Sequence, residues 1–247
     1  MIVLKTPAEI AIMQANGAIS IECFALARDF IRPGRTRREL DRAIEDLIVS
    51  RGAKPAFKGF HGYPASTCIS VNEEVVHGIP DDRPFVEGDI VGLDIGVFKD
   101  GLYVDSARSI PVGRISDEAA ELLAVTHDAL ECGIAQARVG NRLTDISHAV
   151  ETRAKKAGFS VVRSLVGHGI GRSMHEDPQV PNFGPPHQGP LLEEGLVLAI
   201  EPMVNAGAAE VFTLEDGWTI VTVDRSLSAH FEDTVAITKD GPRILTR

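Results

Sequence analysis

The chain has few cysteines, a deficit of positive charge and no long uninterrupted apolar run. Cys23, Cys68 and Cys132 are an odd number without metal-like spacing. That argues against a disulfide framework and for reduced thiols in a cytosolic protein. With 25 Lys and Arg against 35 Asp and Glu, the formal charge is −10. A general nucleic-acid binder needs a basic surface, so DNA is not an expected partner. The opening MIVLKTPAEI holds too short an apolar stretch for a signal peptide. No apolar run reads as long enough to cross a membrane. The expectation is a soluble, cytoplasmic protein with no membrane partner.

What is present is ordinary globular material. The 247 residues are 44% hydrophobic, enough to bury a sizeable core in one large domain or two small ones. No linker of unusual composition divides the chain, so residues 1–247 read as a single domain.

Asp89–Ile110 is the most organised stretch. Two alternating runs flank Lys99-Asp100-Gly101, and Asp-Gly between such runs signals a hairpin. Val91, Leu93, Ile95 and Val97 share one face; Gly92, Asp94 and Gly96 share the other. With Asp100-Gly101 as the turn, Asp94 lies opposite Ala107 and Asp105 opposite Gly96. The two aspartates are then diagonal neighbours on one face, roughly 7–8 Å apart at the backbone. Two metal-facing carboxylates and two solvated surface acids both fit that pattern.

Capping boxes at Thr6-Pro7-Ala8-Glu9 and Thr36-Arg37-Arg38-Glu39 start two helices, which stop near Pro33-Gly34 and Gly52. A third runs from Ser116 toward Gly140 and a fourth from Thr144 to Gly158. Strands are expected at Ala65–Val71, in the hairpin, and at Phe159–Val166, Leu196–Glu201, Trp218–Val223 and Ala229–Thr238. The order helix, helix, strands occurs twice. An offset of 106 aligns Arg32 with Arg138, Gly34 with Gly140, Ala43 with Ala149, Glu45 with Glu151 and Gly52 with Gly158. This points to an internal duplication, roughly 6–110 and 116–240, with a site between the halves.

Four more positions stand out: His77 in VVHGIP, His168 in GHGIG, Glu201 in VLAIEPMV and Glu232 in SAHFEDTVAI. Glu232 falls on the strand face of His230, Thr234 and Ala236. The glycines around His168 do not match a phosphate-binding loop, which needs a different spacing and a lysine.

Asp94, Asp105, His168, Glu201 and Glu232, in that order and spacing, resemble the metal-ligand set of type I methionine aminopeptidases. HGYPASTCISVNEEVVHGIP, GHGIGRSMHEDPQVPNFGPP and DGWTIVTVDRSLSAHFEDT resemble the family too, and the likeness spans essentially the whole chain. It implies an α/β (α+β), pseudo-symmetric pita-bread fold: two ααβ halves, a curved antiparallel sheet and helices outside. It implies two divalent ions, of cobalt, manganese, iron or zinc. Four carboxylates and one imidazole suit such ions better than a sulfur-rich structural zinc site does. Asp94, Asp105 and Glu232 match ligands that serve or bridge both ions; His168 and Glu201 match ligands of one. Such a pair activates a water near neutral pH and polarises the scissile carbonyl. Glu201 also matches the proton shuttle. His77 and His175 match non-ligand histidines that contact the substrate amide.

Tyr63, Cys68 and Trp218 match positions of the methionine pocket. Phe60, Met174 and Phe57 stand where the family commonly has tyrosine, phenylalanine and cysteine, so the pocket stays apolar with an altered volume. His61 and His187 are loop residues at the border of the site, and His230 is a neighbour of Glu232. Cys23 and Cys132 read as helix-core thiols.

The implied activity is removal of N-terminal methionine from nascent polypeptides with a small second residue, by a monomer. The alternative is an Xaa-Pro dipeptidase or aminopeptidase of the same fold; those relatives usually carry a further N-terminal domain, and here the first helix begins at once. A non-catalytic relative would have lost ligands. Arg32, Arg35, Arg37, Arg38 and Arg42 crowd one turn of this acidic chain. They form either a solvated turn or a surface for docking on ribosomal RNA, where the family's substrates emerge.

Overall fold

The two capping boxes form as the sequence dictates. In the computed structural model, which describes residues 1–247, helix α1 spans Pro7–Phe30. Thr6 Oγ1 accepts from the Glu9 amide at 3.3 Å, and Glu9 Oε2 accepts from the Thr6 amide at 2.8 Å. Helix α2, Arg37–Ser50, repeats the device with Thr36 and Glu39. Each box satisfies amides that a helix start leaves without partners. Helix α3 is Asp117–Gln136, capped by Ser116, and α4 is Leu143–Lys156. The bounds of α2 and α4 differ by 106 at both ends, and α1 and α3 end at the same offset. Gly34, Gly140, Gly52 and Gly158 all have φ between 67° and 91°.

The strands pair antiparallel in four hydrogen-bonded groups. The hairpin Ile90–Lys99 and Leu102–Pro111 anchors the first, with Cys68–Val71 and Lys54–Pro55 on its outer side. Asp100 and Gly101 have φ of 51° and 80°, the left-handed pair that a two-residue turn of this twist requires. Asp94 faces Ala107 and Gly96 faces Asp105, the expected register. A five-stranded group runs Gly241–Ile244, Asp233–Thr238, Val197–Ile200, Gly167–Gly169, Glu176–Val180. Two groups of three complete the set: Ser228–His230, Met203–Asn205, Ser160–Val161, and Val211–Thr213, Ile220–Thr222, Glu74–Val76.

Two expected strands come out differently. Phe159–Val166 shortens to Ser160–Val161. Ala229–Thr238 is broken at Phe231–Glu232, and its two pieces join different sheets. At the break Glu232 leaves its strand and bridges the hairpin: its amide donates to Ala107 O at 2.9 Å, and the Ala107 amide donates back at 3.2 Å. That bridge joins the halves.

Val91, Leu93, Ile95 and Val97 are fully buried against Met13, Cys23, Leu40 and Ile44 of α1 and α2. Leu198, Ile200, Val235 and Ile237 lie under Leu130 and Ile134 of α3 and Ile146 of α4. Helices therefore cover one face of the sheets, as apolar strand faces demand. The expectation that no apolar stretch reaches membrane-spanning length is corrected. Helix α1 is 24 residues long with an 18-residue window of mean hydropathy 1.5. Half of that window is buried inside the molecule, so packing on the hairpin accounts for its composition. Cys23 is a core thiol, whereas Cys132 is only partly buried.

Candidate active site

The uncovered sheet faces meet in a cavity of about 270 Å³. Its walls hold all thirteen residues singled out from the sequence, together with His61. Asp94 and Asp105 come from the hairpin; His168, Glu201 and Glu232 come from the second half.

Two of the acidic groups have a local anchor. Asp105 is held by its backbone: its amide donates to Thr234 Oγ1 at 2.9 Å, and Thr234 Oγ1 donates to its carbonyl at 2.8 Å. Glu232 is fixed by the bridge to Ala107 and by Arg108, whose guanidinium donates to the Glu232 carbonyl. Gly167 and Gly169 flank His168 because the sheet is tight there. A Cβ on Gly167 would lie 2.4 Å from Ala199 O, and one on Gly169 would lie 2.2 Å from Asp177 O. The glycines thus let strands approach around the histidine.

Ligand atoms of Asp105, His168 and Glu232 lie within 4.8 Å of one another. His168 Nε2 is 3.6 Å from Glu201 Oε1. Its Nδ1 is 2.9 Å from Gly169 O, a contact that makes Nδ1 the protonated nitrogen and leaves Nε2 free to coordinate. Burial and the neighbouring carboxylates raise Asp94 and Glu232 well above the carboxylate range. Burial and then Asp105 do the same to Glu201. Burial pushes Asp105 up to about 7. Asp94 Oδ1 and Glu232 Oε1 are buried without a hydrogen-bond partner. Oxygen donors that repel one another and lack protein partners fit a divalent cation.

The other end of the cavity is apolar: Phe57, Phe60, Tyr63, Cys68, Met174 and Trp218. Tyr63 and Trp218 meet edge to face at 5.1 Å. His175 stands between the ends, 4.3 Å from the His168 ring and 5.4 Å from Phe60. His77 has φ of 59°, a strained setting of the kind functional sites retain. It shares the wall with His175. Burial lowers the pKa of both histidines. A wider trough of about 720 Å³, lined in part by Val76, Leu165, Gln179 and Met203, opens past the same two histidines, His168 and Glu201.

His230 is 3% exposed, with Nε2 3.8 Å from Glu201. His187 does not border the cavity; it is an exposed partner of Asp145. The sequence reading missed two supports. Asp41 of α2 accepts from the Ser66 and Thr67 amides at 3.0 and 2.8 Å, fastening the segment between Tyr63 and Cys68. Asp216 accepts from the Trp218 and Thr219 amides at 2.8 Å each. A short polar residue two positions before Trp218 was the available signal for the second.

This chain belongs to metallopeptidase family M24, whose model matches residues 11–239. Within that family its similarity is to methionine aminopeptidases. One from Clostridium perfringens is 53% identical over 100% of this chain and 99% of that protein. The crystal structure of one from Thermotoga maritima superposes with a TM-score of 0.98 at 46% identity, covering 100% of both chains. The fold is therefore the family's pita-bread fold. A prolidase from Pyrococcus horikoshii shares it at a TM-score of 0.81 and 25% identity, with this chain covering 63% of that one.

Proposed function

We infer that this protein removes N-terminal methionine from nascent polypeptides whose second residue is small, acting in the cytoplasm. The observation that carries the reading is a single small cavity lined both by the acidic cluster and by a set of apolar side chains. Its volume lies just below the range of small-molecule sites, roughly 300–1,000 Å³, which suits one side chain rather than a whole peptide.

Asp94, Asp105, His168, Glu201 and Glu232 would hold two divalent ions of the manganese, iron, cobalt or zinc kind. Bound there, the ions would supply an acidified water and a polarised carbonyl. Phe57, Phe60, Tyr63, Cys68, Met174 and Trp218 enclose the methionine side chain. Glu201 takes a proton from the attacking water and returns it to the leaving amine. His77 and His175, kept neutral by burial, each donate one N–H to the substrate amide as charge builds on its oxygen. The trough beyond them takes the rest of the polypeptide. Residues 1–247 act as one catalytic domain of two related halves, each supplying part of the cluster, and work as a monomer. Docking on ribosomal RNA through Arg32, Arg35, Arg38 and Arg42 would place this site where substrates emerge. Arg37 drops out of that surface: it is 6% exposed and bonds Glu74 at 2.8 Å.

Free methionine released from Met-Ala and Met-Pro peptides, with the metal varied, tests the activity. Hydrolysis of Ala-Pro without release from Met-Ala peptides would establish the Xaa-Pro dipeptidase alternative instead.

A further inference from the structure

The loop Gly171–His175 carries both Met174 of the apolar recess and His175. What fixes it lies outside the cavity. Glu176 Oε1 accepts from the Arg172 amide at 2.7 Å and the Ser173 amide at 3.1 Å. The other oxygen, Oε2, pairs with the ammonium of Lys5, which also donates to Val3 O at 2.8 Å. Both side chains are buried, with exposures of 1% for Lys5 and 9% for Glu176. The Lys5 amide is tied to Gly195 O at 2.7 Å. Gly171 is where the lysine stem crosses the loop: a Cβ there would lie 2.0 Å from Lys5 Cε.

We propose that Glu176 is a positioning residue for His175: with Lys5 as its buried counter-ion, its carboxylate holds the loop amides and thereby aims the His175 imidazole at the substrate oxygen. The chemistry of a buried pair separates this role from one in stability alone. Replacing such a pair with apolar side chains of similar volume is often neutral for stability, whereas removing one partner leaves a buried charge and is not. Yet an apolar pair takes away the acceptor of the Arg172 and Ser173 amides. A small misplacement of a reacting group costs up to about 100-fold in rate.

The proposal rests on the role of His175 inferred above, so His175→Ala is the reference. Two double variants carry the test. Lys5→Met/Glu176→Met keeps volume and loses the acceptor; Lys5→Met/Glu176→Gln keeps an amide oxygen where Glu176 Oε1 stands. Metal-loaded proteins are compared by melting temperature, by calorimetric metal affinity, and by kcat and KM on a Met-Ala peptide. The Met/Met variant is expected to keep its fold and metal affinity and to lose about 10- to 100-fold in kcat, with KM changed less. The Met/Gln variant is expected to recover most of that kcat. Full kcat in folded Met/Met protein overturns the proposal while His175→Ala remains impaired. If Met/Met does not fold, Lys5→Met/Glu176→Leu, which equally lacks the acceptor, takes its place: a kcat loss of the same size supports the proposal, and full kcat overturns it. An unimpaired His175→Ala would instead remove the underlying role of the histidine.

Discussion

Alanine at Gly96 and alanine at Gly92 should have opposite effects, although the two glycines flank Asp94 symmetrically. At Gly96 a Cβ would lie 2.8 Å from Phe57 Cε1 and 2.9 Å from Ala56 Cβ. Ala56 cannot retreat freely, because its amide donates to Gly96 O at 2.9 Å. The ring of Phe57 must therefore swing, and it forms part of the methionine recess. Overpacking of this kind costs about 1–3 kcal/mol, against a gain of about 0.4–1 kcal/mol from a stiffer unfolded chain. The net loss is on the order of 1–2 kcal/mol. In a chain of 247 residues that is a fall in Tm of roughly 2–8 °C. KM for a methionyl peptide should rise more than kcat falls. At Gly92 the nearest atoms would be Ser70 O at 3.5 Å and Ser70 Cβ at 3.8 Å, ordinary contact distances. There the unfolded-state gain should leave Tm unchanged or slightly higher. Thermal melts of both variants, with peptide kinetics, decide it. Equal destabilisation at the two positions, or an unaltered KM in Gly96→Ala, would refute the packing argument.

Reversal to Glu at Arg32, Arg35, Arg38 and Arg42 should reduce co-sedimentation with ribosomes and spare peptide cleavage, and wild-type binding should weaken steeply with salt. Unaltered sedimentation removes the docking reading. Glu9 is held at about 2 by the Thr6 amide, so its contribution is present above about 4.5 and lost as pH falls through about 2. Glu9→Gln should lower Tm at pH 7, with the difference shrinking below about 4.5 in melts taken across that range.

The features legible in the sequence are those set by neighbours in the chain. Thr6 and Glu9, Thr36 and Glu39, and Ser116 act within one helical turn. Asp100-Gly101 fixes the register of the hairpin, and that register alone puts Asp94 and Asp105 on one face. His168, Glu201 and Glu232 stand out one by one in the sequence but were joined to the hairpin aspartates only through likeness to a family, because no local pattern links them. The remainder depends on partners far along the chain. Strand periodicity carried Ala229–Thr238 through without a break, whereas the pull of Ala107 on Glu232 divides it. Charge counting placed Arg37 among surface arginines, whereas Glu74 draws it inside. Lys5 reads as one more charged residue before a helix until Glu176 is found against it.

The acidic cluster makes stability and function oppose each other at Asp105. In the metal-free protein burial raises this carboxyl from 3.8 to about 7, and the neighbouring acids are raised as well. The folded state then binds more protons than the unfolded chain. Its stability is fully present below about 4 and is lost as pH rises through about 7. Metal-free protein should therefore melt lower at pH 8 than at pH 5.5, and a divalent ion should abolish that difference by taking the place of the protons. Asp105→Asn removes one of the crowded charges. It should abolish methionine release if these carboxylates hold the proposed ions, yet melt higher than wild type when both are metal-free at pH 8. Chelation should silence the wild type reversibly. Melts at the two pH values, with and without metal, provide the check. Metal-free wild type as stable at pH 8 as at pH 5.5, or full peptidase activity after thorough chelation, would contradict the assignment of these carboxylates to a cation.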